Sequence, residues 1–255
     1  PQQGWGRDAE SWGVMNELKA LKGEDWFNLG DKDIALHLLR AQLRGEGWSA
    51  TEIASALRQR FDVAPILAPA TDKTVRTIVH TDKGILPFQH YFVRYRAEPV
   101  VIRLSYEGAA SAQLSPAILA ALCDPALKAI VIAPSNPFLS IDPILAIGGA
   151  RAALREAGVP IIAVTPIIGG AAVKGPTAKI MRELGLPVSA TAVASYYGGL
   201  IDGFVLDRSD SDEQAAIEAL GIACTLEQTL MRDDAGKANL AVRVLEFKKV
   251  CAKRP

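Results

Sequence analysis

The sequence predicts an α/β fold: a Rossmann-like, mostly parallel sheet with helices on both faces, plus an inserted helical pair and a small antiparallel sheet. Three observations carry this expectation. Short apolar runs such as LKAIVIA at 127–133 and VPIIAVT at 159–165 alternate with amphipathic segments through the second half. That is the pattern of buried parallel strands joined by crossover helices. In the first half, Ser49-Ala-Thr-Glu52 is a capping-box pattern at a helix start. Asp82-Lys-Gly84 then separates two apolar runs, which is a hairpin signal.

Taken in order, Ile34 to Arg44 is expected as a helix, and a second helix opens at the Ser49 capping box and runs to about Arg60. Thr74 to Thr81 and Leu86 to Arg94 flank the turn as hairpin strands, and Val100 to Tyr106 adds a third. The parallel part begins with a strand at Leu127–Ala133, followed by a helix over Ile141–Ala157 that Gly148 and Gly149 interrupt. Further strands are expected at Val159–Thr165, Gly203–Leu206 and Ile222–Cys224. The helices between and after them are Thr177–Leu184, Thr191–Tyr197, Glu213–Leu220 and Gly236–Val250. This divides the chain into an N-terminal part, 1–106, and a Rossmann-like part, 107–255, packed as one integrated domain.

Composition excludes several function classes. Lys and Arg balance Asp and Glu at 28 each among 255 residues. No global charge therefore recruits nucleic acid or an anionic membrane, and any anion site must be local. Cys123, Cys224 and Cys251 are too scattered for a metal site or a disulfide framework, which fits a reducing cytoplasm. The longest uncharged stretch, between Glu183 and Asp202, carries Gly185, Pro187, Gly198 and Gly199, so it is a poor membrane span. The start, PQQGWGRDAE, lacks the layout of a signal peptide.

Ligands of parallel sheets sit outside the carboxyl ends of the strands, which singles out three loops. In Pro134-Ser-Asn-Pro137 the two prolines remove amide donors. Ser135, Asn136 and the following helix start, with Ser140, must supply any anion contacts. The same residues would serve equally as a rigid strand-to-helix turn capped by Ser140. The long loop 166–176 holds Gly169, Gly170, Lys174 and Gly175, with one cation in a glycine-rich backbone; it lacks the Walker spacing. A solvated lysine on a long loop is the alternative. Asp207-Arg-Ser-Asp-Ser-Asp-Glu213 offers either divalent-ion ligands or a solvated helix start. A fourth candidate, Asp31-Lys32-Asp33, opens a helix, where carboxylates also simply complement the helix dipole. His37, His80 and His90 receive no role. No Ser-His-Asp order or zinc-hydrolase motif is present, and no G-x-G-x-x-G follows a strand, which argues against a dehydrogenase.

WFNLGDKDIALH, FQHYFVR, IAPSNPFLSIDPIL and TPIIGGAAVKGPTAKIMRELG, in that order, resemble the 2-phospho-L-lactate transferase family of coenzyme F-420 biosynthesis. The resemblance runs from about Gly4 to Leu206. It implies a magnesium-dependent transferase that takes a guanylylated phospho-acid and passes the phospho-acid to the ribityl hydroxyl of the deazaflavin Fo, releasing GMP. By the same resemblance, Ser135, Asn136, Pro137 and Ser140 would hold the nucleotide or diphosphate, with Gly169, Gly170 and Gly175 opposite. Lys174 and Asp31 are the catalytic candidates, and Lys32 and Asp33 would belong to the Fo site. A homodimer is implied. The transferred acid, whether phospholactate, phosphoenolpyruvate or phosphoglycerate, stays open. The family pattern opens with a strand, a Gly-Gly-Thr-Gly-Gly loop and an acidic pair for the metal. None of these precedes Pro1, so metal ligands are unassigned and the 255 residues alone are expected to be inactive. The rival reading is a non-enzymatic regulator of the same fold that binds nucleotides or nucleotide-sugars.

Overall fold

A computed structural model of the protein describes residues 7–251. The first part carries three helices: α1 (Gly13–Ala20), α2 (Asp31–Gly45) and α3 (Ala50–Arg60). The capping box that opens α3 is complete. Ser49 Oγ accepts from the Glu52 amide at 3.2 Å, and the Glu52 carboxylate accepts from the Ser49 amide at 2.7 Å. Strand β1 (Arg76–Thr81) pairs antiparallel with β2 (Gly84–Pro87) and with β3 (Val101–Glu107), giving the order β2-β1-β3. The expected strand over 86–94 stops at Pro87. Proline has no amide to extend the ladder, and His90–Arg94 instead coils into a π-helix, closed by the Tyr95 amide on the His90 carbonyl at 2.8 Å.

The second part alternates as expected, with corrections. Ser115 caps an unanticipated helix, α4 (Pro116–Leu122), which has proline at its first position. After β4 (Ile130–Ile132), residues Pro137–Ile141 form a second π-turn. The single helix expected over 141–157 divides into α5 (Asp142–Leu145) and α6 (Ala150–Glu156). The break is tied down: the Gly148 amide donates to the Ala109 carbonyl at 3.0 Å, and a Cβ there would lie 2.9 Å from the Ala110 carbonyl oxygen. Then follow β5 (Ile161–Val164), a small hairpin of β6 (Ile167–Ile168) and β7 (Ala171–Ala172), α7 (Thr177–Glu183) and α8 (Ala190–Tyr197). The chain closes with β8 (Gly203–Asp207), α9 (Gln214–Glu218), β9 (Ala223–Glu227) and α10 (Asp234–Phe247).

The central sheet has the order β4-β5-β8-β9, all neighbours parallel. Every residue of β5 and β8 is buried, as a sheet covered on both faces requires. Alternation sends Ile161, Ala163, Phe204 and Leu206 to one core, and Ile162, Val164 and Val205 to the other. The first core also contains Val79, Tyr91 and Val101 from the N-terminal part and Met181 and Tyr197 from α7 and α8. The second is closed by Leu240, Val244 and Phe247 of α10. No single helix among the described residues is long and apolar enough to cross a membrane.

Candidate functional site

The carboxyl ends of β4, β5 and β9 open onto one cavity of about 450 Å³. One wall is Pro134, Ser135, Asn136, Leu139 and Ser140, carried by the loop after β4. A second is Thr165, Pro166, Ile168, Val173, Lys174 and Gly175, leading to Thr177 at the start of α7. Thr229, Leu230 and Met231 form the third, and Phe88 and Phe92 the roof. Ser135 and Asn136 thus face the same space as Lys174 and Gly175. Lys174 is exposed, and among the described residues its ammonium has no carboxylate partner.

Each wall is held by backbone-directed bonds. The Asn136 side-chain oxygen accepts from the Phe138 and Leu139 amides at 2.9 and 3.0 Å, which caps the π-turn and fixes the amide plane; its Nδ2 is buried without a partner among the described residues. Pro137 is the first residue of that turn and is buried behind the wall, outside the cavity lining. Thr165 Oγ1 donates to the Ile167 carbonyl at 2.8 Å and accepts the Ile167 amide at 3.1 Å, which turns the chain into the hairpin.

Gly169 and Gly170, expected along the phosphate wall, lie outside the lining. They are the two central residues of the β6–β7 turn, with φ of +59° and +68°. Two consecutive positive φ values define the mirror-image hairpin turn that glycine enters without strain. The Gly169 amide is already spent on Asp210 Oδ2 at 2.9 Å.

In the acidic run 207–213, Asp207, Asp210 and Glu213 are likewise engaged by the fold. Asp207 Oδ1 accepts from the Ser209 amide and hydroxyl at 3.0 and 2.8 Å, and Oδ2 from the Thr229 amide and hydroxyl at 2.9 and 2.8 Å. Burial alone would push this carboxyl up, yet the four bonds together hold it below the ordinary carboxyl range. Asp207 thereby fixes the third cavity wall. Glu213 accepts from the Ala190 and Thr191 amides and the Thr191 hydroxyl at the start of α8. No group of three or more His, Cys, Asp or Glu suited to a metal occurs among the described residues. Among the described residues no carboxylate lines the cavity, so these residues do not fit a protein-built magnesium cage.

Asp31, Lys32 and Asp33 open α2 and do not line the cavity. Asp31 caps α1, accepting from the Val14 amide at 3.0 Å, the Ser11 hydroxyl at 2.8 Å and the Gly13 amide at 2.9 Å. These bonds, Val14 foremost, hold its carboxyl below the ordinary range. Lys32 Nζ donates to the Asp8 carbonyl at 2.6 Å. Asp33 is half-buried in the first turn. Upstream, Trp26 packs edge-on against His90 at 4.8 Å and lies under the Arg94 guanidinium at 5.7 Å. This brings the segment before α2 onto the π-helix that carries Phe92.

Sequence reasoning assigned nothing to Phe88 and Phe92, whose rings stack at 5.4 Å with an interplanar angle of 23°. The available signal was the F-x-x-x-F spacing, which only a helical turn brings together, and the segment had been expected as a strand. It also missed a polar cluster behind the first wall, in which Asp142 is buried, Tyr106 half-buried and Tyr196 exposed. The Tyr106 hydroxyl donates to the Phe138 carbonyl at 2.6 Å and lies 3.3 Å from Asp142 Oδ2; the Tyr196 hydroxyl donates to that same carboxylate oxygen. Burial pushes the Asp142 carboxyl up, against the opposing bonds from Tyr196 and Tyr106 and the nearby charge of Arg151.

The chain is similar to the phosphoenolpyruvate transferase of Kitasatospora aureofaciens, with 39% identity over 246 residues covering 94% of this chain and 76% of that protein. The 2-phospho-L-lactate transferase of Methanosarcina mazei is 35% identical over 242 residues, covering 95% and 78%. A crystal structure of a Bacillus halodurans protein superposes with a TM-score of 0.53 at 14% identity; it covers 77% of this chain and 66% of that one, and shows a shared fold alone. The family model for 2-phospho-L-lactate transferase CofD matches residues 7–246, and the chain belongs to that family.

Proposed function

We propose that this protein transfers a phosphorylated hydroxy acid from its guanosine diphosphate-linked donor to the deazaflavin Fo, releasing GMP, in coenzyme F-420 biosynthesis. The acid is phospholactate, phosphoenolpyruvate or phosphoglycerate. The observation that carries the reading is the convergence of the Ser135–Asn136 wall and Lys174 on one cavity.

The chemistry asks for little beyond position and charge. The acceptor hydroxyl attacks the phosphorus bearing the acid, its O–P bond forms as the bridging P–O bond to GMP breaks, and the hydroxyl proton passes to the departing GMP phosphate or to water. Such transfers are catalysed mainly by alignment and by stabilising charge on the leaving phosphate. Lys174 supplies the cation where that charge develops. Ser135, Ser140 and Thr177 also line the same space, and the stacked Phe88–Phe92 pair gives a flat apolar wall. The nucleophile belongs to the acceptor, so no protein nucleophile is needed. Magnesium, implied by family resemblance, finds no carboxylate along this cavity among the described residues. Lys32 and Asp33 as Fo contacts, Asp31 as a catalytic group, a homodimeric state and a cytoplasmic location belong to the same proposal.

Calorimetric titration with GDP, together with Fo fluorescence titration, tests the reading. Lys174→Ala is expected to weaken GDP binding by about tenfold or more, since a charge-assisted contact is worth roughly 1.5–3 kcal/mol. Wild-type protein that binds neither GDP nor Fo would overturn the transferase reading. GDP binding with no response of Fo would favour the nucleotide-binding regulator.

A further inference from the structure

We infer that Tyr106, Asp142 and Tyr196 form a positioning cluster that sets, from behind, the geometry of the turn carrying the cavity-wall residues Asn136, Leu139 and Ser140. The inference rests on the reading of that wall as the donor site.

The three side chains come from different layers: Tyr106 from β3 of the antiparallel sheet, Asp142 from the start of α5, and Tyr196 from α8. None of them lines the cavity, so none touches a ligand held there. Their hydrogen bonds nevertheless act on the π-turn that carries the wall residues Leu139 and Ser140. The Tyr106 hydroxyl holds the carbonyl of Phe138, inside the π-turn, at 2.6 Å. Asp142 is the residue directly after that turn, and its carboxylate is gripped by Tyr196 with Tyr106 beside it. The Tyr196 ring also packs edge-on against Phe138 at 4.9 Å. The π-turn is thus fixed at its carbonyl, at its aromatic side chain and at its carboxyl end, while Asn136 caps its amino end.

A π-turn is rare and marginal by its own hydrogen bonding. Here the bond closing it, from the Ile141 amide to the Asn136 carbonyl, is 3.3 Å long. Such a turn keeps its shape where surrounding groups over-determine it. Burying a carboxylate is costly unless it is well bonded, so Asp142 gives a reason why both tyrosine hydroxyls stay in place. Loosening the cluster frees the turn to relax toward an ordinary helix start, which would swing Ser140 and Leu139 relative to Lys174.

The test compares ligand affinity with stability in the full chain. Tyr106→Phe removes one hydroxyl and keeps the ring. It is expected to weaken GDP binding by about tenfold, measured well below the variant's own melting temperature. Asp142→Asn keeps a carbonyl oxygen for Tyr196 and is expected to retain near-wild-type affinity, whereas Asp142→Ala, with no acceptor, is expected to lose it. Unchanged GDP affinity in Tyr106→Phe, with only its melting temperature lowered, would reduce the cluster to a plain core contact and overturn the inference. Should Asp142→Ala not fold, the Tyr106→Phe and Asp142→Asn pair still decides. Absence of GDP binding in the wild type would instead bring down the donor-site reading, and this inference with it.

Discussion

Two buried aspartates lie close to the cavity walls with opposite acid–base behaviour. Asp207 accepts four hydrogen bonds, so its folded carboxyl lies below the ordinary 3.8 despite burial. Its stabilising contribution is whole above that value and is lost as pH falls through the folded one. Asp142 is desolvated beyond what its bonds recover, and its carboxyl lies above 3.8. Its ionised form is a burden on the fold, relieved as pH falls through the raised value toward 3.8. Urea denaturation at stepped pH separates the two. Asp207→Asn is expected to cost about 2–3 kcal/mol at neutral pH, since Asn turns a donor toward Thr229, and that gap should close below about pH 4. Against Asp142→Asn, the wild type should instead gain relative stability on acidification. Both gaps moving in the same direction would show that the hydrogen-bond account of the two carboxyls is mistaken.

Among the elements, the β6–β7 hairpin and the two π-turns do most to shape the site. The hairpin lifts Ile168, Val173 and Lys174 to the cavity, and its turn depends on the left-handed backbone of Gly169 and Gly170. Gly170→Ala forces a side chain into that region and is expected to cost about 1 kcal/mol or more. Gly169→Ala should cost at least as much, since the amide bonded to Asp210 must hold its direction. Hydrogen exchange of the 167–172 amides would read the loss locally; unaltered protection in both variants would argue against a strained-turn role. The glycines therefore act on the pocket through the loop they bend. Each π-turn presents part of its own register to the same cavity, Phe92 from one and Leu139 with Ser140 from the other. This matches the tendency of such irregular turns to occur at functional sites.

At the scale of the whole molecule, one core joins the antiparallel and parallel sheets through Val79, Tyr91 and Val101 against Phe138, Met181 and Phe204. Unfolding followed by far- and near-ultraviolet circular dichroism should therefore give one coincident transition; two resolved transitions would separate the parts. On the opposite face, Phe247→Ala removes the largest side chain of α10 from the second core and is expected to cost about 3–5 kcal/mol in denaturant titration. A cost below about 1 kcal/mol would mean that α10 is not seated there. Much of this was legible in the chain itself. Strand β5, the Ser49 capping box and the hairpin around Asp82 depend on neighbours a few residues apart, and such patterns survive in one dimension. The motifs carrying Ser135, Asn136 and Lys174 were also visible, because a loop after a parallel strand has only one end of the sheet to occupy. Other features were decided only by tertiary structure: Phe88 and Phe92 on a helical turn, Asp207 bonded to Thr229, and Asp142 between Tyr106 and Tyr196. Each depends on a backbone path or a partner supplied by another element, and residue spacing carries no information about which distant group will arrive to accept or donate a bond.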